Sequence, residues 1–199
     1  MQALLSRLSF RRPRKDTPLP AIELIGERVV LRPVELSDAQ DMFVFVADPK
    51  VVHFLPWQPA SELRGVQAFL DQQRERRRSG ESLAFSIVWK ATSIVIGSTD
   101  IMQLLARDRH VELGYILAQE FWSRGIMTEA AVLSRDYVFQ ELKRQKLVAF
   151  ADHENTGSRR VLEKIGMSEI GSEWRTIKER NRLYVRYELT REAWEKLVH

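Results

Sequence analysis

The chain of 199 residues contains no cysteine. Disulfides, thiolate metal sites and an acyl-cysteine intermediate are therefore excluded, and the composition suits a reducing compartment, so a cytoplasmic protein is expected. Histidine is scarce: His53, His110, His153 and His199 are scattered, with no helical pair at metal-ligand spacing. No metal site is expected. No run approaches the roughly 18 apolar residues of a membrane span, and the N-terminus lacks the apolar centre of about 7–15 residues that a secretory leader needs. There is no internal repeat. What remains is 44% hydrophobic and 29% charged, enough apolar material for one buried core and hence for one domain.

The formal net charge of +4 is unevenly placed. Residues 1–20 hold Arg7, Arg11, Arg12, Arg14 and Lys15 against Asp16, which leaves residues 21–199 with 26 basic and 26 acidic side chains. The body is neutral and the basicity belongs to an arm. Pro13, Pro18 and Pro20 keep that arm out of helix and sheet. It reads either as a solvated tail, as a transit peptide, or as a contact surface for RNA or an acidic protein.

From residue 21 onward the pattern is that of one α+β domain. Arg28 to Val34 predicts a strand ended near Pro33, and Ser37 with Gln40 a capped helix through about Val46. Residues 48–55 suggest a helical turn, followed by the rigid loop Pro56-Trp57-Gln58-Pro59. A second helix is expected from Ser61 to Arg78, with Leu63, Val66, Phe69 and Leu70 on one face. Its arginine-rich end is a solvated face or a polyanion contact. Residues 83–90, 94–103 and 110–117 predict three strands in an antiparallel meander. Then come a helix over 128–142, a strand over 147–152, a helix over 155–165 ended by Gly166, closing strands at 167–170 and 183–189, and a terminal helical turn from Arg191 to Leu197. The order gives a mostly antiparallel central sheet flanked by helices.

Two segments carry chemistry. Phe121-Trp122-Ser123-Arg124-Gly125-Ile126-Met127-Thr128-Glu129-Ala130 lies between a strand and a helix start. There the unpaired backbone N–H groups and the positive end of the dipole suit an anion, phosphate above all. Gly125 permits close approach or positive φ, and Arg124 adds a cation. The same residues would also make an ordinary turn with a capped helix. The second segment runs from Asn155 to Met167. Asn155 is a plausible N-cap, and Ser158 lies in the first turn facing the same sheet end. Both could be caps only.

Taken together, the pattern resembles the GNAT superfamily of acetyl-CoA-dependent N-acetyltransferases, and more narrowly the ribosomal-protein N-terminal acetyltransferases of the Rim type. The resemblance spans about residues 23–190. It rests on R-V-V-L-R-P at Arg28–Pro33, on His53-Phe54-Leu55-Pro56-Trp57, on Glu112-Leu113-Gly114-Tyr115, and on the two segments above. It implies that backbone N–H groups of Arg124, Gly125, Ile126, Met127 and Thr128 hold the pyrophosphate of acetyl-CoA. It also implies that the pantetheine runs beside Ile116 and Leu117 and that Asn155 hydrogen-bonds it. Met127 stands where the family has Gly or Ala, which a backbone contact tolerates if the side chain points away. The tyrosine that many members place near Leu162–Glu163 is missing, and Ser158 is the available substitute as acid.

Without cysteine, direct attack of the amine on the thioester is the economical mechanism. An α-amine is about a tenth neutral at pH 7, whereas a lysine is below about a tenth of a percent neutral, so an N-terminal acceptor asks less of a base. Glu112, in the apolar strand V-E-L-G-Y-I-L, is the candidate base, because partial burial would raise its pKa; an ion pair with an arginine is the competing reading. Backbone N–H groups near Ile116 and Leu117, splayed by a bulge, would meet the oxyanion. Phe54 and Trp57 either line the acceptor side or pack in the core. The expected acceptor is a protein or peptide N-terminus, with ribosome association through the arm, and the protein is a monomer or homodimer. Acetylation of a small amine such as a polyamine or antibiotic, and a non-catalytic ribosome- or RNA-associated module, are the alternatives.

Overall fold

A computed structural model of the chain describes Leu19, residues 22–105 and residues 110–198. The arm over 1–18 and the charged turn over 106–109 lie outside the described residues. The elements are β1 (Leu24–Ile25), β2 (Val29–Pro33), α1 (Ala39–Val46), α2 (Leu63–Arg78), β3 (Leu83–Trp89), β4 (Val95–Met102), β5 (His110–Leu117), α3 (Ile126–Gln140), β6 (Lys146–Asp152), α4 (Thr156–Lys164), β7 (Ser168–Ile177), β8 (Arg180–Thr190) and α5 (Arg191–Val198). The strands form one sheet in the order β1-β2-β3-β4-β5-β6-β8-β7. Every neighbouring pair is antiparallel except β5 with β6.

Strand alternation gives this sheet two working faces. On one, Ser86 donates its hydroxyl to the Asp38 carboxylate at 2.6 Å, which also accepts a two-pronged hydrogen bond from Arg32 at 2.9 and 2.6 Å. Asp38 is 2% exposed. Burial alone would raise its pKa, but the hydrogen bonds from Arg32, Ser86 and the Glu35 N–H prevail and hold it below the usual carboxylate range. This cluster fastens the start of α1 to β2 and β3, and removing one partner would cost about 3–5 kcal/mol. On the other face Thr99 and Ser134 share a buried hydrogen bond of 2.9 Å, which fastens α3 to β4. Apolar residues fill both layers: Val66 and Leu70 of α2 on the first, Ile126, Ala130 and Val138 of α3 on the second.

The feature that positions the site is where pairing stops. Strands β5 and β6 pair only over His110–Glu112 with Lys146–Val148. Beyond that, β5 stays with β4 through Leu117 while β6 stays with β8 through Asp152, and a gap opens between them.

Several expected boundaries shift. The first long helix starts at Ala39 after a single 3-10 turn, Leu36–Asp38, and its entry is fixed by Asp38 accepting the Glu35 N–H at 2.9 Å, not by Ser37 with Gln40. Phe69 is 45% exposed, because the helix turns only Val66 and Leu70 of that set fully inward. The bulge falls between Ile87 and Val88 of β3, so the register of β5 on β4 is unbroken. Strand β7 extends to Ile177, and β1 was not expected. Leu19, placed by its prolines in the arm, is buried and donates its N–H to the Arg77 carbonyl at the end of α2.

Candidate active site

The helix start at Gly125 has the geometry of an anion cradle. Ser123 has φ 59° and Gly125, the N-cap of α3, has φ 74°, an arrangement that turns successive N–H groups toward one point. Ile126 and Met127 are 1% and 7% exposed. Their side chains are spent in the core, so only the backbone of this turn is offered outward, and Met127 does point away. Glu129, one turn on, accepts the N–H groups of Arg28 and Val29 and the Arg28 guanidinium at 2.8 Å, and Arg28 also donates to the Arg124 carbonyl at 2.9 Å. Burial raises the Glu129 pKa, but these donors prevail and lower it. The carboxylate thus clips the cradle to β2. The Arg124 guanidinium sits 6.0 Å from the Phe121 ring centroid on an exposed side chain. A depression of about 350 Å³ lined by Arg28, Gly125, Thr128 and Val132 opens beside the turn.

The gap lies at the end of β5, ahead of the cradle in the chain. Ala118 donates its N–H to Ile96 of β4. By alternation the Ile116 N–H is turned to β4 as well, while those of Leu117 and Tyr115 face the gap. The Leu117 carbonyl accepts the Trp122 indole N–H at 2.8 Å. On the α3 face, Asn155 caps α4 through Oδ1, which accepts the Ser158 N–H at 3.0 Å and leaves its amide NH2 free to donate. The Tyr115 hydroxyl lies 3.0 Å from Ser158 Oγ and donates to the Ser158 carbonyl at 3.1 Å. Burial pushes the Tyr115 phenol far above its ordinary value of 10.0, so it keeps its proton and acts as a hydrogen-bond donor that fixes Ser158.

The opposite face carries the carboxylates. Glu112 is half-buried, and its Oε2 accepts Gln103 Nε2 at 2.9 Å; Gln103 in turn holds His110 Nε2 at 2.9 Å. Burial raises the Glu112 pKa against the opposing effects of Arg175, Gln103 and His110. The hydrogen bond to Gln103 stands where an arginine ion pair was the competing expectation. Across the ladder from Gly114, on the same face, sits Asp100. Its Oδ1 is buried without a hydrogen-bond partner. Burial pushes its pKa up to about 6, with Glu112 and Glu81 adding to the rise and Arg76 opposing it. Phe54 joins this face: its carbonyl accepts the Tyr184 hydroxyl at 3.0 Å and Arg182 stacks 5.6 Å from its ring. Trp57 is 46% exposed in the following loop.

Residues 28–168 match the acetyltransferase (GNAT) domain. The chain belongs to that family. It is 28% identical over 148 residues to an uncharacterized N-acetyltransferase, p20, of Bacillus licheniformis, covering 74% of this chain and 83% of the relative. It is 26% identical over 147 residues to the spermidine N(1)-acetyltransferase of Escherichia coli K12, covering 72% and 74%. In fold it matches Mycobacterium smegmatis RimJ in complex with CoA-disulfide with a TM-score of 0.77, at 24% identity over 89% of this chain and 94% of that one. The protein is accordingly an acetyl-CoA-dependent N-acetyltransferase.

Gly125, Ile126, Met127, Thr128, Asn155, Tyr115 and Ser158 lie on the α3–α4 side of the sheet, and Glu112, Asp100 and Phe54 on the α1–α2 side. Asp100 and Tyr115 escaped the sequence reading. Asp100 lies in V-I-G-S-T-D-I-M, an apolar strand with one acid, which is the same signal that singled out Glu112. Among the described residues no cluster of metal-holding side chains occurs, and no helix is long and apolar enough to cross a membrane.

Proposed function

We propose that this enzyme acetylates the α-amine of protein N-termini by direct transfer. The observation that carries this reading is the charge balance on the acceptor face. Around the gap Asp152 is paired with Arg182 at 2.8 Å, Glu173 with Arg175, Glu188 with Arg186, and Glu81 with Arg76 at 3.8 Å. Glu112 and Asp100 make no ion pair among the described residues. A surface built for a polycation would keep a band of free carboxylates, whereas a neutral face suits a peptide whose single charge is its terminal ammonium.

Bound at the cradle, acetyl-CoA supplies an activated acyl group as a thioester. The N–H groups of the first turn of α3 hold its pyrophosphate, and the free amide of Asn155 reaches the pantetheine. The Leu117 N–H, turned into the gap, meets the negative charge that develops on the acyl oxygen. Glu112 takes up the proton released on the acceptor side, and Ser158, held by Tyr115, donates a hydrogen bond toward the departing sulphur. Phe54 and Trp57 line the approach of the peptide. The basic arm draws the enzyme to a polyanionic target, the ribosome, in the cytoplasm.

The test is kcat/KM at pH 7 for short peptides with free N-termini, spermidine, free lysine and an aminoglycoside. Peptides should lead by at least about tenfold, in line with the neutral fractions of the two amine classes. A version beginning at Thr17, which removes all the basic residues of the arm and keeps the buried Leu19, should keep that turnover and lose salt-sensitive binding to RNA. If spermidine leads instead, the acceptor is a polyamine.

A further inference from the structure

Among the described residues, Oδ1 of Asp100 is a carboxylate oxygen buried without a hydrogen-bond partner. It lies on the α1–α2 face of β4, directly across the ladder from Gly114 of β5, so its neighbour toward the gap carries no side chain. Gly114 is also two residues past Glu112, the last residue of β5 that pairs with β6. Asp100 therefore sits on the strand next to the one that leaves β6, and on this face the flexible Met102 side chain packs over Gly114, its Cε 3.2 Å from where a Cβ would stand. The charged groups that face it are Arg76 from α2, Glu81 from the turn before β3 and Glu112 from β5. Arg76 is engaged by Glu81, and Oδ1 of Asp100 accepts no hydrogen bond from any described residue. A buried acceptor left without a donor is costly to the fold, and such groups cluster where a ligand completes them.

We propose that Asp100 is a second catalytic carboxylate, which takes the proton of the acceptor ammonium at the apex of the gap while Glu112 at the rim passes it to water. The step balances. The ammonium loses one proton to Asp100; the freed nitrogen lone pair forms the C–N bond to the acyl carbon as the C–S bond breaks. The second nitrogen proton goes to the departing thiolate, and the proton on Asp100 leaves through Glu112 to solvent. Asp100 supplies what Glu112 lacks, a carboxylate whose Oδ1 has no donor to compete for it among the described residues. This inference rests on acetyl transfer to an amine and deepens that reading, independently of which amine is used.

The experiment is the pH dependence of kcat/KM for the full chain with acetyl-CoA and a short peptide bearing a free α-amine. In the wild type the acid limb should fall near pH 6, where Asp100 becomes protonated. In Asp100→Asn it should move up to the peptide's own titration, about 7.7–8.0. The variant should be slower by about tenfold or more at pH 6.5 and within about threefold of wild type at pH 9. Acetyl-CoA affinity by calorimetry should stay within about twofold, because Asp100 faces away from the cradle, and Asp100→Ser should reproduce the shifted limb. A wild-type limb in Asp100→Asn or Asp100→Ser overturns the role, as does a rate loss equal at all pH values. A wild-type preference for polyamines overturns the peptide acceptor alone.

Discussion

Replacing Asp100 with asparagine should stabilise the protein at neutral pH and do little at acid pH. The folded state raises this carboxyl from an ordinary 3.8 to about 6, so the folded protein binds the proton more tightly than the unfolded chain. The sign follows: wild-type stability declines as pH climbs from about 4 through 6, and the loss is complete above the folded value. Two pKa units correspond to about 3 kcal/mol, and about half of that falls between pH 5 and pH 8. Asparagine keeps the shape and cannot ionise. Urea titrations of both proteins at pH 5, 6.5 and 8 would measure it. The stability advantage of the variant should grow by about 1.5 kcal/mol from pH 5 to pH 8 with an unchanged m-value. An advantage that is the same at every pH would show that Asp100 is not held in a charge-disfavouring environment, and the argument from its burial would fail.

Glu112→Gln should lower turnover on peptides at pH 7, with the deficit shrinking as pH rises and the amine deprotonates unaided; a deficit constant across pH would mark Glu112 as structural. Gly125→Pro should weaken acetyl-CoA binding by more than about tenfold in calorimetry, because it removes one N–H from the cradle and cannot adopt φ 74°. An unchanged Kd would remove the cradle from the cofactor site.

Much of the fold is legible in local pattern. The strand His110–Leu117 follows a charged segment and leads toward the helix-start segment, and its observed limits equal the expected ones. The helix after Gly125 and the cap at Asn155 are also local chemistry, a glycine with positive φ in one case and an Asn side chain reaching the N–H three residues on in the other. What escapes is set by distant partners. Strand β7 is exposed along nearly all its length at the sheet edge, so it has no alternation of buried and exposed residues to betray it. The parting of β5 from β6 depends on how far each pairs with β4 and β8, which no residue of β5 encodes. Tyr115 meets Ser158 from 43 positions away. Asp100 becomes special only because Gly114 lies opposite and no donor does.

The central claim, acetyl transfer from acetyl-CoA to a peptide α-amine, is tested most directly with two peptides of one sequence that contains a lysine, one free and one blocked at its N-terminus. Thiol release from acetyl-CoA should accompany acetylation of the free peptide one for one at its terminus, and the blocked peptide should yield neither. Equal turnover of the blocked peptide at its lysine, or thiol release without an acetylated peptide, would contradict the account.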